Sequence, residues 1–171
     1  MIRPVPDPTS PGQESVWDYP RPPALQPSAR HVVVRFGGIV IAETRRAWRV
    51  LETSHPPGWY LPPDDILPGA LEPAAGASLC EWKGRAAYWD VVSPRDRGGS
   101  GARAERAAWS YPRPTPAFAA IAGYVALYPG RMESCSIDGE PVRPQEGGFY
   151  GGWITRDVAG PFKGAPGTMG W

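Results

Sequence analysis

Proline and glycine are spread along the whole chain and leave few long uninterrupted segments. The sequence has 23 prolines and 21 glycines among 171 residues. Both residue types are unfavourable inside helices, and both are common in turns. This distribution predicts a mostly β fold built from short antiparallel strands, with at most one or two short helices. The length fits a single domain with a sizeable core.

Two hairpins are the clearest local signals. One is predicted at 31–44 around Gly37-Gly38, and a later one at 132–142 around Asp138-Gly139, because both dipeptides favour tight turns. Thr115 followed by Pro116 predicts the start of a short helix through residue 122. Further strands are predicted at 78–82, 85–92, 105–111 and 124–128, with 47–51 a strand or one helical turn. Loops are predicted at 67–77 and 93–103.

The chain divides into a proline-rich arm and a body. Residues 1–30 are predicted to form an extended arm that packs on the body, and residues 31–171 a single β-rich domain with a Gly/aromatic tail. Trp17 and Tyr19 favour docking of the arm, because large aromatics gain most from burial. The motif Trp-x-Tyr-Pro-Arg-Pro occurs at 17–22 and again at 109–114. It is either a shared way of ending a strand or a pair of related docking segments, within one chain or across a dimer.

Composition excludes several classes of partner. The net charge of +1 gives no long-range attraction for nucleic acids. No apolar stretch approaches a membrane span, and the first residues lack the apolar core of a secretion signal, so the expectation is a cytoplasmic protein. The two cysteines are 55 positions apart, and only two histidines are present. This pattern gives no metal-ligand spacing, so neither a metal nor a cofactor is expected.

The segment 79–89 carries the candidate chemistry. Cys80 and Lys83 lie three residues apart, and in a regular strand they would point to opposite faces. A turn or bulge at Lys83-Gly84 would bring them together, and glycine permits one. Nearby cations favour the thiolate form of cysteine, which is the nucleophile, so Cys80 is a candidate catalytic residue. The alternative is a buried cysteine that acts as a small apolar residue.

Each of the other candidate site residues has both a functional and a structural interpretation. Lys83 is either an anion-binding group, or an amine for a Schiff base, or a lysine at a strand edge. Glu52 is either a general base or a solvated residue at a strand end. Asp64-Asp65 is either a metal-binding pair or the cap of a helical turn. The aromatic candidates are either walls of a ligand pocket or ordinary core residues; they are Tyr60, Trp109 and Tyr111.

These residues together resemble the bacterial family called domain of unknown function 427. The match lies in 14–23, 38–42, Leu51-Glu52, 60–62, Cys80-x-x-Lys83-Gly84, 109–112, 151–153 and 160–164. The resemblance implies a β-tent-like arrangement of two antiparallel sheets, related to methionine sulfoxide reductase B and Mss4-type domains. Those relatives often bind zinc through paired Cys-x-x-Cys motifs, which this chain lacks, so no structural zinc is expected. The family is in places labelled nucleotidyltransferase-like, but this sequence has neither a Gly-rich phosphate loop nor an Asp-x-Asp pair.

The sequence therefore predicts one concave pocket for a small molecule with an anionic group. Its predicted lining is Glu52, Tyr60, Cys80, Lys83, Trp109 and Tyr111. One interpretation is an enzyme in which Cys80 attacks as a thiolate, Glu52 transfers protons and Lys83 binds the anion. The alternative is a non-catalytic module that binds a small ligand or peptide in an aromatic-lined pocket. A homodimer is compatible with either interpretation.

Overall fold

The computed structural model describes residues 2–171, and its regular structure is almost entirely short strands. In chain order the strands are β1 (Glu14–Ser15), β2 (Ala24–Ser28), β3 (Val32–Phe36), β4 (Ile39–Thr44), β5 (Ala47–Leu51), β6 (Gly58–Tyr60), β7 (Leu71–Cys80), β8 (Gly84–Val92), β9 (Arg103–Ser110), β10 (Val125–Leu127), β11 (Ser134–Ile137), β12 (Glu140–Pro141), β13 (Arg143–Pro144), β14 (Trp153–Ile154) and β15 (Val158–Ala159). Short 3₁₀ segments cover Val16–Asp18, Pro63–Asp65, Arg95–Arg97, Pro116–Ile121 and Pro129–Arg131. The predicted mostly β, antiparallel fold is confirmed.

Three sheets form the body. The first sheet has the order β12-β11-β3-β4, the second has β10-β9-β8-β7, and the third has β2-β5-β6. All pairings within them are antiparallel. The resemblance implied two antiparallel sheets, and the structure has three larger ones. Two short ladders complete the set: β13 pairs with β14, and β1 pairs in parallel with β15.

Both predicted hairpins form where the glycine dipeptides stand. The turn between β3 and β4 has positive φ at Gly37 (58°) and Gly38 (86°). The turn between β11 and β12 has positive φ at Asp138 (50°) and Gly139 (80°). Positive φ at both central residues gives a turn whose twist matches that of the strands, which explains why these dipeptides were reliable signals.

Two local predictions were wrong. Residues 67–77 were expected to be a loop, but β7 begins at Leu71 and pairs along β8, with a register shift between Pro73 and Ala77. Small residues with low strand propensity are held there by pairing with the partner strand, so tertiary structure overrides local preference. Thr115 precedes a 3₁₀ segment as expected, but its hydroxyl donates to the carbonyl of Trp82 (2.6 Å) instead of capping the turn.

Three apolar clusters hold the layers together. The largest lies between the first and second sheets and includes Val34, Leu61, Val91 and Trp153, all almost fully buried. A second cluster joins the second and third sheets around Tyr60, Tyr111 and Ile121. Reciprocal backbone hydrogen bonds between Leu61 and Val125 (2.8 and 2.9 Å) fix these two sheets against each other.

The third cluster fastens the N-terminal segment to the last part of the chain. Trp17 and Tyr19 are 6% and 8% exposed, and Trp17 Nε1 donates to the carbonyl of Pro161 (3.0 Å). The Trp17 ring meets that of Trp171 edge to face at 5.6 Å. Within the predicted arm, Ala24–Ser28 is itself a strand of the third sheet. No helix described between residues 2 and 171 is long and apolar enough to cross a membrane.

Candidate functional site

One cleft of about 600 Å³ opens between the second and third sheets and is bordered by the N-terminal segment and the last 30 residues. The six side chains predicted from the sequence all line it, although they come from separate parts of the chain. They are Glu52, Tyr60, Cys80, Lys83, Trp109 and Tyr111. The lining also includes Arg21, His55, Glu81, Tyr128, Gln145, Phe149, Tyr150, Lys163 and Trp171.

A tight turn brings Cys80 and Lys83 to the same cleft. β7 ends at Cys80, which pairs with Gly84 at the start of β8, and residues 81–83 form the loop. Gly84 has a φ of 105°, a conformation that L side chains rarely adopt. Because the strand stops at Cys80, the alternation that would separate the two side chains does not continue to Lys83. The carbonyl of Lys83 accepts a hydrogen bond from the Thr115 amide (3.0 Å), which fixes the loop.

Lys83 is a buried cation in the wall of the cleft. It is 9% exposed, and its Nζ lies 5.6 Å from the ring centroid of Tyr111 and 6.0 Å from that of Phe118. Burial alone lowers the pKa of Lys83, but the neighbouring Tyr60, Cys80 and Glu52 groups together outweigh it and raise the pKa above its ordinary value. The ammonium is therefore charged at neutral pH. Cys80 is partly exposed and lines the cleft.

An aromatic wall of the cleft lies beside Lys83. Trp109 Nε1 donates to the Tyr60 hydroxyl (3.3 Å), and the Trp109 ring lies 4.6 Å from that of Tyr128. The rings of Tyr60 and Tyr111 lie 6.3 Å apart. Burial raises the pKa of both Tyr60 and Tyr111, so their hydroxyls stay protonated and remain hydrogen-bond donors. The wall suits a flat apolar ligand body with polar groups at its edge.

A chain of polar side chains also lines the cleft. Glu52 Oε2 lies 3.2 Å from the Arg21 guanidinium and 3.5 Å from His55 Nε2. On its other side, His55 Nδ1 lies 3.2 Å from Gln145 Nε2. Burial lowers the pKa of His55 to about 3, and nearby cations contribute to the shift. His55 is therefore neutral near pH 7.

Sequence reasoning missed the cleft residues supplied by turns and by the last part of the chain. His55 was considered only as a metal ligand, while Arg21, Gln145 and Lys163 were not singled out. A signal for Lys163 was available, because Lys83 and Lys163 are the only lysines in the sequence. No local pattern connects these residues, since each reaches the cleft through tertiary contacts.

Other candidates from the sequence lie elsewhere. The Asp65 carboxylate accepts a hydrogen bond from the Thr44 hydroxyl (2.6 Å) and pairs with the Arg46 guanidinium (2.9 Å), so it holds a turn. Cys135 is buried in β11, and burial raises the pKa of its thiol to about 12. Among residues 2–171, no group of three His, Cys, Asp or Glu side chains is placed to hold a metal ion.

The repeated motif contributes to the cleft twice. Its first copy brings Arg21 to the cleft, and its second brings Trp109 and Tyr111. The surroundings differ, because Trp17 of the first copy packs in the cluster formed with the last part of the chain. The two copies therefore occupy different aromatic clusters but meet at one site.

Comparison with known proteins agrees with the resemblance seen in the motifs. A family described as "Domain of unknown function (DUF427)" matches residues 24–138. The chain belongs to this family. The matched part of the DUF427 domain includes all six predicted cleft residues, while Arg21, Gln145 and Lys163 lie outside it. No curated protein matches the chain at a significant level.

Proposed function

We propose that the cleft binds a small molecule with an anionic group and that Cys80 attacks this molecule as a thiolate. The observation that carries the proposal is the position of Lys83, a lysine that is nine-tenths buried and lies beside the partly exposed Cys80. Within residues 2–171, no carboxylate lies within salt-bridge distance of Lys83 Nζ. The charged ammonium lines the cleft next to Cys80, so it can pair with an anionic group of a ligand bound there.

The proposed chemistry is addition of the Cys80 sulfur to an electrophilic carbon of the ligand. Glu52 receives the thiol proton, and the sulfur electron pair forms the new S–C bond while the π pair of a carbonyl moves to its oxygen. Glu52 then returns the proton to that oxygen, which completes the balance. Lys83 holds the anionic group and its positive charge favours the thiolate. The aromatic wall positions the ligand body.

A second candidate function is non-catalytic binding in the same cleft. It is favoured by the ion pair between Glu52 and Arg21 (3.2 Å), because a carboxylate oxygen held by a guanidinium is less available as a base. The aromatic lining would support binding of a small ligand or peptide without any reaction. The two functions differ in the expected reactivity of Cys80.

Alkylation by iodoacetamide distinguishes them. In the enzyme, Cys80 should react at pH 6.5 at least about tenfold faster than a cysteine in an unstructured peptide, because thiolate is the reactive species. Lys83→Gln should bring the rate back to that of the peptide. Cys135 should remain unmodified until the protein is unfolded, which gives an internal control. A Cys80 rate at or below that of the peptide would favour the binding module.

A thermal-shift screen tests ligand binding itself. Small carboxylates and phosphates that bind the folded protein raise its melting temperature by mass action. Hits that depend on the cleft should lose their effect in Lys83→Gln and keep it in Arg156→Gln, which changes an exposed cation outside the cleft. Hits that stabilise both variants equally would argue against Lys83 as the anion-binding group.

A further inference from the structure

The side chain of Tyr60 is held in the cleft by the junction of two sheets. Tyr60 is the last residue of β6, where it pairs with Trp48 of β5. The next residue, Leu61, is fixed to Val125 by reciprocal backbone hydrogen bonds (2.8 and 2.9 Å). The Tyr60 side chain is 3% exposed and lines the cleft. Its position is therefore set by the packed fold before any ligand arrives.

The oxygen of the Tyr60 hydroxyl accepts a hydrogen bond, and its proton is left to donate. Trp109 Nε1, which can only donate, points at the Tyr60 oxygen (3.3 Å). In the part of the chain that the structure describes, no hydrogen bond donated by the Tyr60 hydroxyl is found. A phenol can accept and donate at once, and a bond accepted on its oxygen strengthens the bond that its proton makes. The proton of Tyr60 is thus available to a ligand.

The hydroxyl stays protonated at neutral pH. Burial raises the pKa of Tyr60, and the charge of Lys83 and the hydrogen bond from Trp109 offset only part of this rise. A hydrogen bond from such a buried group is made in a medium of low dielectric constant, where it is stronger than in water. Because the fold already holds the donor, little reorganisation is needed when charge develops on a ligand.

Cys80 lies against the same group of side chains. It packs on the apolar cluster that contains Tyr60 and Tyr111, and all three residues line the cleft. The ammonium of Lys83, beyond the tight turn, lies 5.6 Å from the centre of the Tyr111 ring. When a sulfur adds to a carbonyl carbon, the negative charge develops on an oxygen that is two bonds from the sulfur. The charge therefore develops beside Cys80, where the tyrosine hydroxyls lie.

We propose that Tyr60 is a catalytic residue whose hydroxyl donates a hydrogen bond to the carbonyl oxygen of the ligand as Cys80 adds to the carbonyl carbon. The inference rests on the proposed function, because it assigns the group that stabilises the oxyanion of that step. The S–C bond forms, the π bond breaks and its electron pair moves to oxygen, while the thiol proton passes to Glu52 and then to this oxygen. Tyr60 keeps its own proton throughout.

The inference also narrows the class of ligand. An alkylating carbon would give Tyr60 no oxyanion to stabilise, so the electrophile is a carbonyl compound that also carries an anionic group for Lys83. 4-Formylbenzoate has both groups and serves as the probe. With ¹³C at the formyl carbon, NMR distinguishes the free aldehyde from the hemithioacetal, in which this carbon is tetrahedral. The native protein should form the hemithioacetal, and Cys80→Ala should lack its signal.

Tyr60→Phe removes the hydroxyl and keeps the ring. The equilibrium constant for the hemithioacetal should fall at least about tenfold, since a donor to the charged oxygen is lost. Alkylation of Cys80 by iodoacetamide and binding of benzoate by calorimetry put no charge on a carbonyl oxygen, so both should stay within about twofold of the native values. Tyr124→Phe, at a tyrosine outside the lining of the cleft, should leave all three measurements unchanged.

Replacement of Tyr60 by 3-fluorotyrosine keeps the test decisive if the phenylalanine variant folds poorly. The fluorinated phenol is more acidic and is therefore a stronger donor, and its oxygen can still accept from Trp109. The hemithioacetal should be at least as stable with this residue as in the native protein. A less stable hemithioacetal would contradict the inference.

The outcomes separate the inference from the proposed function. If the hemithioacetal forms at Cys80 and Tyr60→Phe changes its stability by less than about twofold, the inference is overturned and the proposed function stands. The same holds if Tyr111→Phe alone weakens the hemithioacetal, or if Tyr60→Phe lowers all three measurements equally, which indicates a structural role. If Cys80 alkylates rapidly but forms no hemithioacetal, only the inference is overturned. If it does neither, both are overturned.

Discussion

Gln145 Nε2 lies 3.2 Å from His55 Nδ1 and determines which nitrogen of the imidazole carries the proton. The orientation of the Gln145 amide is fixed, because its Oε1 accepts from the Gly152 amide (3.0 Å) and its Nε2 donates to the Lys163 carbonyl (2.7 Å). An amide nitrogen only donates, so Nδ1 of His55 must accept. The proton is then on Nε2, which faces Glu52 Oε2.

This arrangement predicts a pH-dependent stability. The pKa of His55 is lowered to about 3 in the folded protein, against about 6.5 in the unfolded chain. Between these two pKa values, His55 is protonated in the unfolded chain and neutral in the folded protein. The free energy of unfolding therefore decreases as the pH falls. The contribution of neutral His55 to the free energy of unfolding is complete above pH 6.5 and is lost progressively towards pH 3. Between pH 7.5 and pH 5 this amounts to about 2 kcal/mol.

His55→Asn is the variant for this prediction, because its side-chain oxygen can still accept from Gln145. Urea unfolding at several pH values should show the stability difference between native protein and variant narrowing by about 2 kcal/mol from pH 7.5 to pH 5. A constant difference across this range would mean that His55 takes up its proton at the same pH in the folded protein as in the unfolded chain.

The sequence was most informative where local conformation alone decides the structure. The two hairpin turns require positive φ, which Gly37-Gly38 and Asp138-Gly139 adopt. These dipeptides therefore indicated the positions of both hairpins. The six cleft residues could be selected because Cys80, Lys83 and their neighbours combine reactive and aromatic groups in short motifs. The direction of the Lys83 side chain could not be derived, since it depends on where β7 ends.

The parts that escaped prediction depend on contacts between distant segments. β7 begins early because β8 lies beside it, and residues 71–77 have no strand signal of their own. Gln145 and Lys163 reach the cleft through hydrogen bonds to each other and to Ser54 and His55. Such groupings are set by the packed fold and have no counterpart in residue spacing.

Trp17→Ala tests how much the docked N-terminal segment stabilises the protein. The indole is buried against Trp171 and donates to Pro161, so its loss should leave a cavity and an unpaired carbonyl. Removal of a buried tryptophan costs about 3 to 5 kcal/mol. Urea unfolding measures this cost, and Val5→Ala, at a position 86% exposed in the same segment, should change stability by less than about 0.5 kcal/mol. Equal stabilities of the two variants would contradict the importance of this docking.

Removal of metal should not affect the fold. The expectation rests on the absence of paired cysteines in the sequence, because structural zinc sites need four ligands at close spacing. Dialysis against a chelator should leave the melting temperature and the far-UV circular dichroism unchanged. Retention of one zinc per chain through dialysis that removes excess metal, measured by elemental analysis, would show that the protein has a metal site.

Gly151→Ala tests whether the aromatic wall is shaped by the segment that faces it. A Cβ at Gly151 would lie 2.2 Å from Cη2 of Trp109, so the indole must move. Because Trp109 also donates to Tyr60 (3.3 Å), the movement should disturb the cleft as well as the packing. We expect a stability loss of about 1 to 3 kcal/mol, typical of overpacking, and at least about fivefold weaker binding of benzoate by calorimetry.

Gly130→Ala is the matched control, since its Cβ would meet Pro144 at an ordinary 3.5 Å. Native benzoate affinity together with an unshifted Trp109 indole N–H signal in NMR would show that Gly151 does not position this wall.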